Sequence, residues 1–333
     1  MKSYSNKTVL ITGATGLIGS HIVDALMDKG DVKVIALSRS EEKLKKGFEQ
    51  YLKNSNFSVV AKDVVETFKF HESIDYIFHA AGPMEGKIIK NRPIDVIKPN
   101  IAGTMNCLEF LKKQEIEKGI KGRMVLFSSV TVYGNNADVD LIVQEADTRV
   151  TETLESVSAP YSQSKRMSEV ITLAYCRQFG IDAVIGRFST VYGSTRFIPD
   201  TAFYNFIKKG IDGENITLNS SGLPRRDNIY VDDAVAGILA VGTKGITGEA
   251  YNVSSNGELG NYASVDEIAQ VIAEAANKRN SDIIVEVINK LEATGVRRPG
   301  LKLDNSKLKK LGWDISTSLT EGIDKTINDI VKQ

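Results

Sequence analysis

Tyr161-Ser162-Gln163-Ser164-Lys165 sets a phenol and an ammonium four residues apart, a spacing that places both on one side of a helix. An ammonium beside a phenol favours the phenolate, as would a positively charged nicotinamide. The pair therefore predicts a tyrosine usable as a base near neutral pH, well below its ordinary pKa of about 10. Upstream, the apolar run Val125-Leu126-Phe127 ends in hydroxyls at Ser128 and Ser129 and continues as Val130-Thr131-Val132-Tyr133-Gly134. Hydroxyls there sit at the carboxyl end of a strand, where open parallel sheets bind their ligands.

The dinucleotide itself is signalled within the first twenty residues. A strand-like Thr8–Thr12 runs into Thr12-Gly13-Ala14-Thr15-Gly16-Leu17-Ile18-Gly19 and then into a helical pattern. Gly13 permits the tight turn, Gly16 lets the backbone approach a pyrophosphate, and Gly19 lets the helix lie close to the sheet. The helix N-terminus, around Thr15, Leu17 and Ile18, presents free N–H groups to the phosphates. The second strand ends Leu37-Ser38-Arg39-Ser40, with no acid before Glu41. A carboxylate there would hold the ribose hydroxyls of NAD; Ser38 and Arg39 instead favour the 2′-phosphate of NADP(H). Asp63 and Val64 fit the adenine. Ala80, Ala81 and Gly82 end the fourth strand in small residues, which lets the pyrophosphate and ribose lie against the backbone; His79 before them reads as a satisfied, half-buried side chain.

Elements that must position these groups follow a clear alternation. Strand-like Thr8–Thr12, Val32–Leu37, Phe57–Ala61, Tyr76–Ala80, Met124–Ser129 and Asp182–Phe188 are separated by amphipathic stretches such as Ser20–Lys29, Ile101–Lys113 and Ser162–Phe179. Continuous apolar strands alternating with helices predict an α/β Rossmann-type fold, a doubly wound parallel sheet covered on both faces. The expected organisation is a dinucleotide-binding domain over 1–193, to which segments of about 228–260 return, and a smaller substrate-binding lobe over 194–333.

Composition narrows the partners. The 333 residues carry 42 Lys+Arg against 42 Asp+Glu, so the formal net charge is zero and the footprint of a nucleic-acid binder is missing. The longest apolar stretch, Ala234 to Gly242, falls short of the ~18–20 residues of a membrane span. Met1 to Lys7 is polar, without an apolar signal region, and Cys107 and Cys176 read as reduced core residues; together these imply a cytoplasmic protein. His21, His71 and His79 are scattered, without nearby cysteines, so no metal site is expected.

Taken together, the motifs resemble the extended short-chain dehydrogenase/reductase family, in particular its nucleotide-sugar epimerase/dehydratase group. The resemblance runs through Gly13, Gly16 and Gly19, His79–Ala81, Asn100-Ile101-Ala102-Gly103-Thr104, Ser128–Gly134, Tyr161 with Lys165, Arg187–Gly193, Arg226–Asp233 and Arg298-Pro299-Gly300 to Leu311-Gly312-Trp313. It implies that Ser129, Tyr161 and Lys165 are catalytic. Tyr161 would exchange a proton with a sugar hydroxyl, Ser129 would bond the same oxygen, and Lys165 would hold the nicotinamide ribose. Asn100 joins the cofactor set; Thr131, Thr190, Arg226 and Arg298 are placed against a nucleotide-sugar substrate, and Ile216–Asn219 near its base. Family 4,6-dehydratases place Asp-Glu after the catalytic hydroxyl, and the decarboxylases keep the Glu. Val130 and Thr131 stand there in this chain, as in the epimerases. Thr190 stands where the family usually has Asn. The resemblance thus implies a C4 epimerase, with an NADPH-dependent reductase of a nucleotide-linked 4-keto sugar as the alternative and a non-catalytic dinucleotide sensor as a remoter one. It also implies a homodimer formed by the helix after Asn100 and the Tyr161 helix, through Met105, Leu108, Leu111, Val170, Leu173 and Tyr175.

Overall fold

The computed structural model describes residues 3–134, 141–147, 152–219, 222, 225–280, 284–289 and 300–332. The chain begins β1 (Thr8–Thr12), α1 (Leu17–Met27), β2 (Lys33–Ser38), α2 (Glu41–Gly47), β3 (Phe57–Ala61), β4 (Tyr76–His79), α3 (Gly86–Asn91) and α4 (Ile94–Lys98). It continues with α5 (Thr104–Lys118), β5 (Arg123–Ser129), β6 (Leu141–Val143), α6 (Ala159–Phe179), β7 (Asp182–Phe188), β8 (Thr190–Tyr192), α7 (Ala202–Asp212) and β9 (Ile216–Leu218). Then come β10 (Arg225–Tyr230), α8 (Val231–Lys244), β11 (Ala250–Val253), β12 (Tyr262–Ser264) and α9 (Val265–Arg279). The last elements are β13 (Val287–Asn289), β14 (Leu301–Leu303), α10 (Ser306–Lys309) and α11 (Leu319–Val331).

Seven strands form one sheet in the order β11-β7-β5-β4-β1-β2-β3, and every pairing in it is parallel. The reason is visible in the side chains. Leu10, Ile35, Leu37, Ile77, Met124, Leu126 and Ile185 bury against Cys107, Leu108 and Leu111 of α5 on one face. Their neighbours Val9, Ile11, Val34, Phe78, Val125 and Val184 bury against Ile22 and Leu26 of α1 and Ile238 and Val241 of α8 on the other. Strand side chains alternate between faces, so only strands apolar at every position can be covered on both. The chain reverses direction across the sheet between β1 and β4, the switch point at which such sheets bind ligands.

Within 228–260, α8 covers the large sheet and β11 is its edge strand, whereas Asn228–Tyr230 pair with Thr190–Tyr192 in a small sheet ordered β12-β10-β8. Two further two-stranded pairs are β9 with β13 and β6 with β14. Helices α9 and α11 begin with the same reciprocal cap, Ser264 with Glu267 and Ser318 with Glu321, which satisfies the first backbone donors of each.

The apolar faces assigned to a dimer divide differently from the expectation. Leu108 and Leu111 are buried inside the protomer, because α5 turns that face to the sheet. Met105 on α5 and Met167 and Val170 on α6 are exposed. Cys107 is buried and Cys176 half-buried, both as free thiols. Among the described residues no cluster of His, Cys, Asp and Glu is arranged to hold a metal, and no helix is long and apolar enough to cross a membrane.

The β1–α1 turn depends on two glycines. Gly13 has φ +69°, and a Cβ there would lie 2.8 Å from the Ala81 nitrogen. A Cβ on Gly19 would lie 2.4 Å from the Gly13 carbonyl oxygen, so α1 sits directly on the turn it follows. Gly19→Ala should therefore cost about 1–3 kcal/mol of overpacking, seen as a lower urea midpoint; an unchanged midpoint would contradict this close approach.

Candidate active site

At the switch point a cleft of ≈ 270 Å³ is lined by Gly13, Thr15 and Gly16 of the first turn, Ser38 and Arg39 after β2, Lys62, Asp63 and Val64 after β3, and Ala80, Ala81 and Gly82 after β4. Four strand ends thus bring together most of the residues expected to hold a dinucleotide. Gly16 caps α1 with extended backbone and no side-chain bond, which leaves the first-turn N–H groups open for an anion. Leu17 and Ile18 contribute that first turn, but their half-buried side chains pack against the core outside the cleft. Thr15 and Ser38 hydroxyls bond one another at 2.9 Å. Asp63 accepts from the Val65 N–H within its own loop, and the Val64 carbonyl accepts from the Asn106 amide on α5.

Lys62 was not singled out from the sequence. It follows β3, whose end pairs with the end of β2, so it lines the same cleft as Arg39. Arg39 is exposed, and Lys62 reaches Glu66 at 3.4 Å. His79 differs from its half-buried expectation: it is fully buried, its Nδ1 lies 2.9 Å from the Thr12 hydroxyl, and burial pushes its pKa down to about 3. It is therefore a neutral strut between β1 and β4.

The reactive groups converge because α6 crosses the end of β5. Ala159-Pro160 opens α6, a position where proline's missing N–H costs nothing, and Tyr161 and Lys165 follow on successive turns. Lys165 is buried, and its Nζ donates to the carbonyl oxygen of Phe127 at 2.8 Å. Ser129, at the end of β5, accepts from the Thr131 N–H at 3.3 Å, and its hydroxyl faces the Tyr161 phenol, where it favours the phenolate.

Asn100 completes the floor from a π-turn over Pro99–Gly103, an uncommon backbone form often found at functional sites. Its Nδ2 donates to the carbonyl of Val96 and the hydroxyl of Ser164, while its buried Oδ1 has no hydrogen-bond partner. A Cβ on Gly82 would come within 2.7 Å of that oxygen and 3.5 Å of Lys165 Nζ. The uncapped helix, the side-chain-free approach at Gly82 and the unpaired amide oxygen together fit a dinucleotide.

Electrostatics correct one expectation. Desolvation raises the pKa of Tyr161 above its usual value, and the Ser129 hydrogen bond offsets only part of that. Lys165 points its ammonium at a backbone carbonyl and lies 6.0 Å from the tyrosine ring centroid. Burial also depresses Lys165, to about 8, against the pull of Glu169 in the other direction. Burial outweighs the Ser129 hydrogen bond at the phenol because Tyr161 is shut from water.

The substrate-side residues are dispersed. Thr131 is half-buried in the turn after Ser129, with a buried hydroxyl that has no partner, and Thr190 is half-buried on β8. Arg226 is exposed on β10. Ile216 and Leu218 are buried on β9. Arg298 lies outside the described residues.

A parallel doubly wound sheet, a glycine turn at its switch point and a Ser-Tyr-Lys set over the next strand end define an extended short-chain dehydrogenase/reductase. The chain matches the model of the NAD dependent epimerase/dehydratase family over residues 9–254 and belongs to that family. It is similar to UDP-glucuronic acid decarboxylase 5 of Arabidopsis thaliana, with 30% identity over 322 residues covering 96% of this chain and 88% of that protein. It is 27% identical over 328 residues to the dTDP-D-glucose 4,6-dehydratase of Mus musculus, covering 96% and 88% of the two. Among solved structures, UDP-glucuronic acid 4-epimerase from Bacillus cereus in complex with UDP-glucuronic acid and NAD superposes with a TM-score of 0.79 at 25% identity, covering 98% of this chain and 99% of that one.

If turnover needs the Lys165 ammonium, it should fall as pH rises through about 8, where the group gives up its proton. A rate flat through that range would separate Lys165 ionisation from catalysis.

Proposed function

We propose that the protein is a nucleotide-sugar 4-epimerase in which Tyr161 is the acid/base. The observation that carries this reading is the pair Val130 and Thr131 directly after Ser129. Family dehydratases and decarboxylases carry acids there, and neither of these side chains ionises to supply an eliminating acid or base. Proton exchange at one carbinol oxygen needs only what remains. Ser129 donates to the sugar O4, Tyr161 takes the O4 proton and later returns it, and Lys165 presents a positive charge beside them. A bound nicotinamide supplies a hydride acceptor that gives the hydride back, and its positive charge opposes the burial that raises the Tyr161 pKa. The partnerless Thr131 hydroxyl offers a bond to a sugar hydroxyl, since a buried unpaired donor is costly to leave unmet. The nucleotide diphosphate falls to Arg226 and Arg298, where guanidinium geometry suits phosphate.

The cofactor reading is NADP(H), by two cations and a hydroxyl, Arg39, Lys62 and Ser38, around the expected 2′-phosphate. The same cations favour a second reading, an NADPH-dependent reductase of a nucleotide-linked 4-keto sugar, because such an enzyme draws on that reductant each turnover.

Incubation with a panel of nucleotide sugars, following reduced-nicotinamide absorbance, separates the two. Epimerisation gives a C4-inverted product with no net absorbance change and is abolished in Tyr161→Phe; stoichiometric loss of NADPH would establish the reductase. In the same assays Arg39→Ala and Lys62→Ala should each lower the preference for NADP over NAD, and an unchanged ratio would overturn the cofactor reading.

A further inference from the structure

One buried carboxylate outside the Ser-Tyr-Lys set touches the elements that carry all three. Glu169 lies one turn beyond Lys165 on α6, with its side chain 7% exposed. Its Oε1 accepts from the Ser128 hydroxyl at 2.5 Å and from Arg187 Nε at 2.9 Å, and its Oε2 accepts from Arg187 Nη2 at 2.7 Å. Ser128 and Arg187 are register partners on β5 and β7. Arg187 stacks on the Tyr133 ring, and its Nη1 donates to the Tyr133 hydroxyl and to the Glu145 carbonyl, both at 2.9 Å. Tyr133 in turn donates to Asn252 on β11 at 2.7 Å.

Stability alone is a poor reason for this arrangement. A buried ion pair rarely outperforms well-packed apolar side chains, because both charges must leave water. Its location is more informative. Lys165 bonds the carbonyl of Phe127, and Glu169 bonds the hydroxyl of Ser128, so two successive residues of β5 are tied to successive turns of α6. The next residue is Ser129.

We propose that Glu169 is a positioning residue: through Ser128 and Arg187 it fixes the end of β5 so that the Ser129 hydroxyl meets the Tyr161 phenol, and it sets a negative charge one turn from the Lys165 ammonium. This rests on the assignment of Ser129, Tyr161 and Lys165 as the reacting groups. The charge has a direct consequence, since Glu169 is the anion that supports the Lys165 proton against burial. The other titratable groups facing this region include Tyr161 on α6, His79 on β4, held neutral, Arg187 on β7, Tyr133 after β5, and Glu145, whose carboxylate accepts from the Asn252 N–H and acts on Tyr133 rather than on Lys165. None of them supplies that anion.

Glu169→Gln keeps the shape and removes the charge. In the full-length holoenzyme, kcat should fall about tenfold with little change in KM, and the alkaline limb should move down by about one pH unit as Lys165 loses its counter-charge. Glu169→Gln leaves Arg187 buried without an anion, so Glu169→Gln/Arg187→Gln is made alongside it, and the limb should be displaced equally. Ser128→Ala leaves the ion pair intact and tests the tether alone, with kcat lowered about threefold and the limb unmoved. Folding of each is verified by thermal melting. Wild-type kcat in Ser128→Ala, or a wild-type limb in a folded Glu169 variant, would overturn the proposal. If no nucleotide sugar is turned over by the wild type, the epimerase reading fails on its own. The ultraviolet phenolate absorbance that disappears in Tyr161→Phe then reads the site. It should titrate at higher pH in Ser128→Ala, where every charge is kept and only the tether that holds Ser129 against the phenol is lost, and an unmoved titration overturns the positioning role.

Discussion

An ammonium buried next to a phenol is the constraint around which this molecule is arranged. Lys165 is 6% exposed, and burial pulls its proton affinity down to about 8 even with the Glu169 carboxylate pulling the other way. A cation so placed survives only with partners, and the fold provides them from different elements: the Phe127 carbonyl at 2.8 Å and the Glu169 carboxylate one turn away on the same helix. Those partners fix where α6 crosses β5, and that crossing decides where Ser129 and Tyr161 stand.

The rest of the sheet serves the same junction. Strands apolar at every position bury on two faces, so their polar loops collect at one end, where β1 and β4 part. The cleft lined by the glycine turn opens at these strand ends, and Ser129 stands at the end of β5, where α6 brings Tyr161 and Lys165. The π-turn before α5 delivers Asn100, and three α6 hydroxyls, Ser164, Ser168 and Thr172, fold back on backbone carbonyls so that the two helices lie close.

Much of this is legible without coordinates. The glycine spacing, the continuous apolar strands and the Tyr161–Lys165 interval each have a local physical cause, so fold class, glycine turn and reactive set follow from short stretches of sequence. What escapes are groups whose roles arise from pairing between distant segments. Lys62 lines the cleft beside Arg39 only because β3 lies beside β2. Glu169 looks like one more polar residue of an amphipathic helix until the β5–β7 register sets Ser128 beside Arg187. The apolar face of α5 could be read toward a partner or toward the sheet, and Leu108 and Leu111 turn to the sheet. The upward shift of Tyr161 escapes for a related reason: spacing gives the neighbouring cation, but only the packed structure gives the degree of burial that raises the phenol.

The central claim is that one carbinol carbon is oxidised and re-reduced inside a closed site, with Tyr161 moving the proton. Its most direct test is nuclear magnetic resonance of the product from a nucleotide sugar carrying deuterium at C4. Inversion with deuterium retained at C4 is the predicted result; deuterium found at C6, or lost to water, would contradict it.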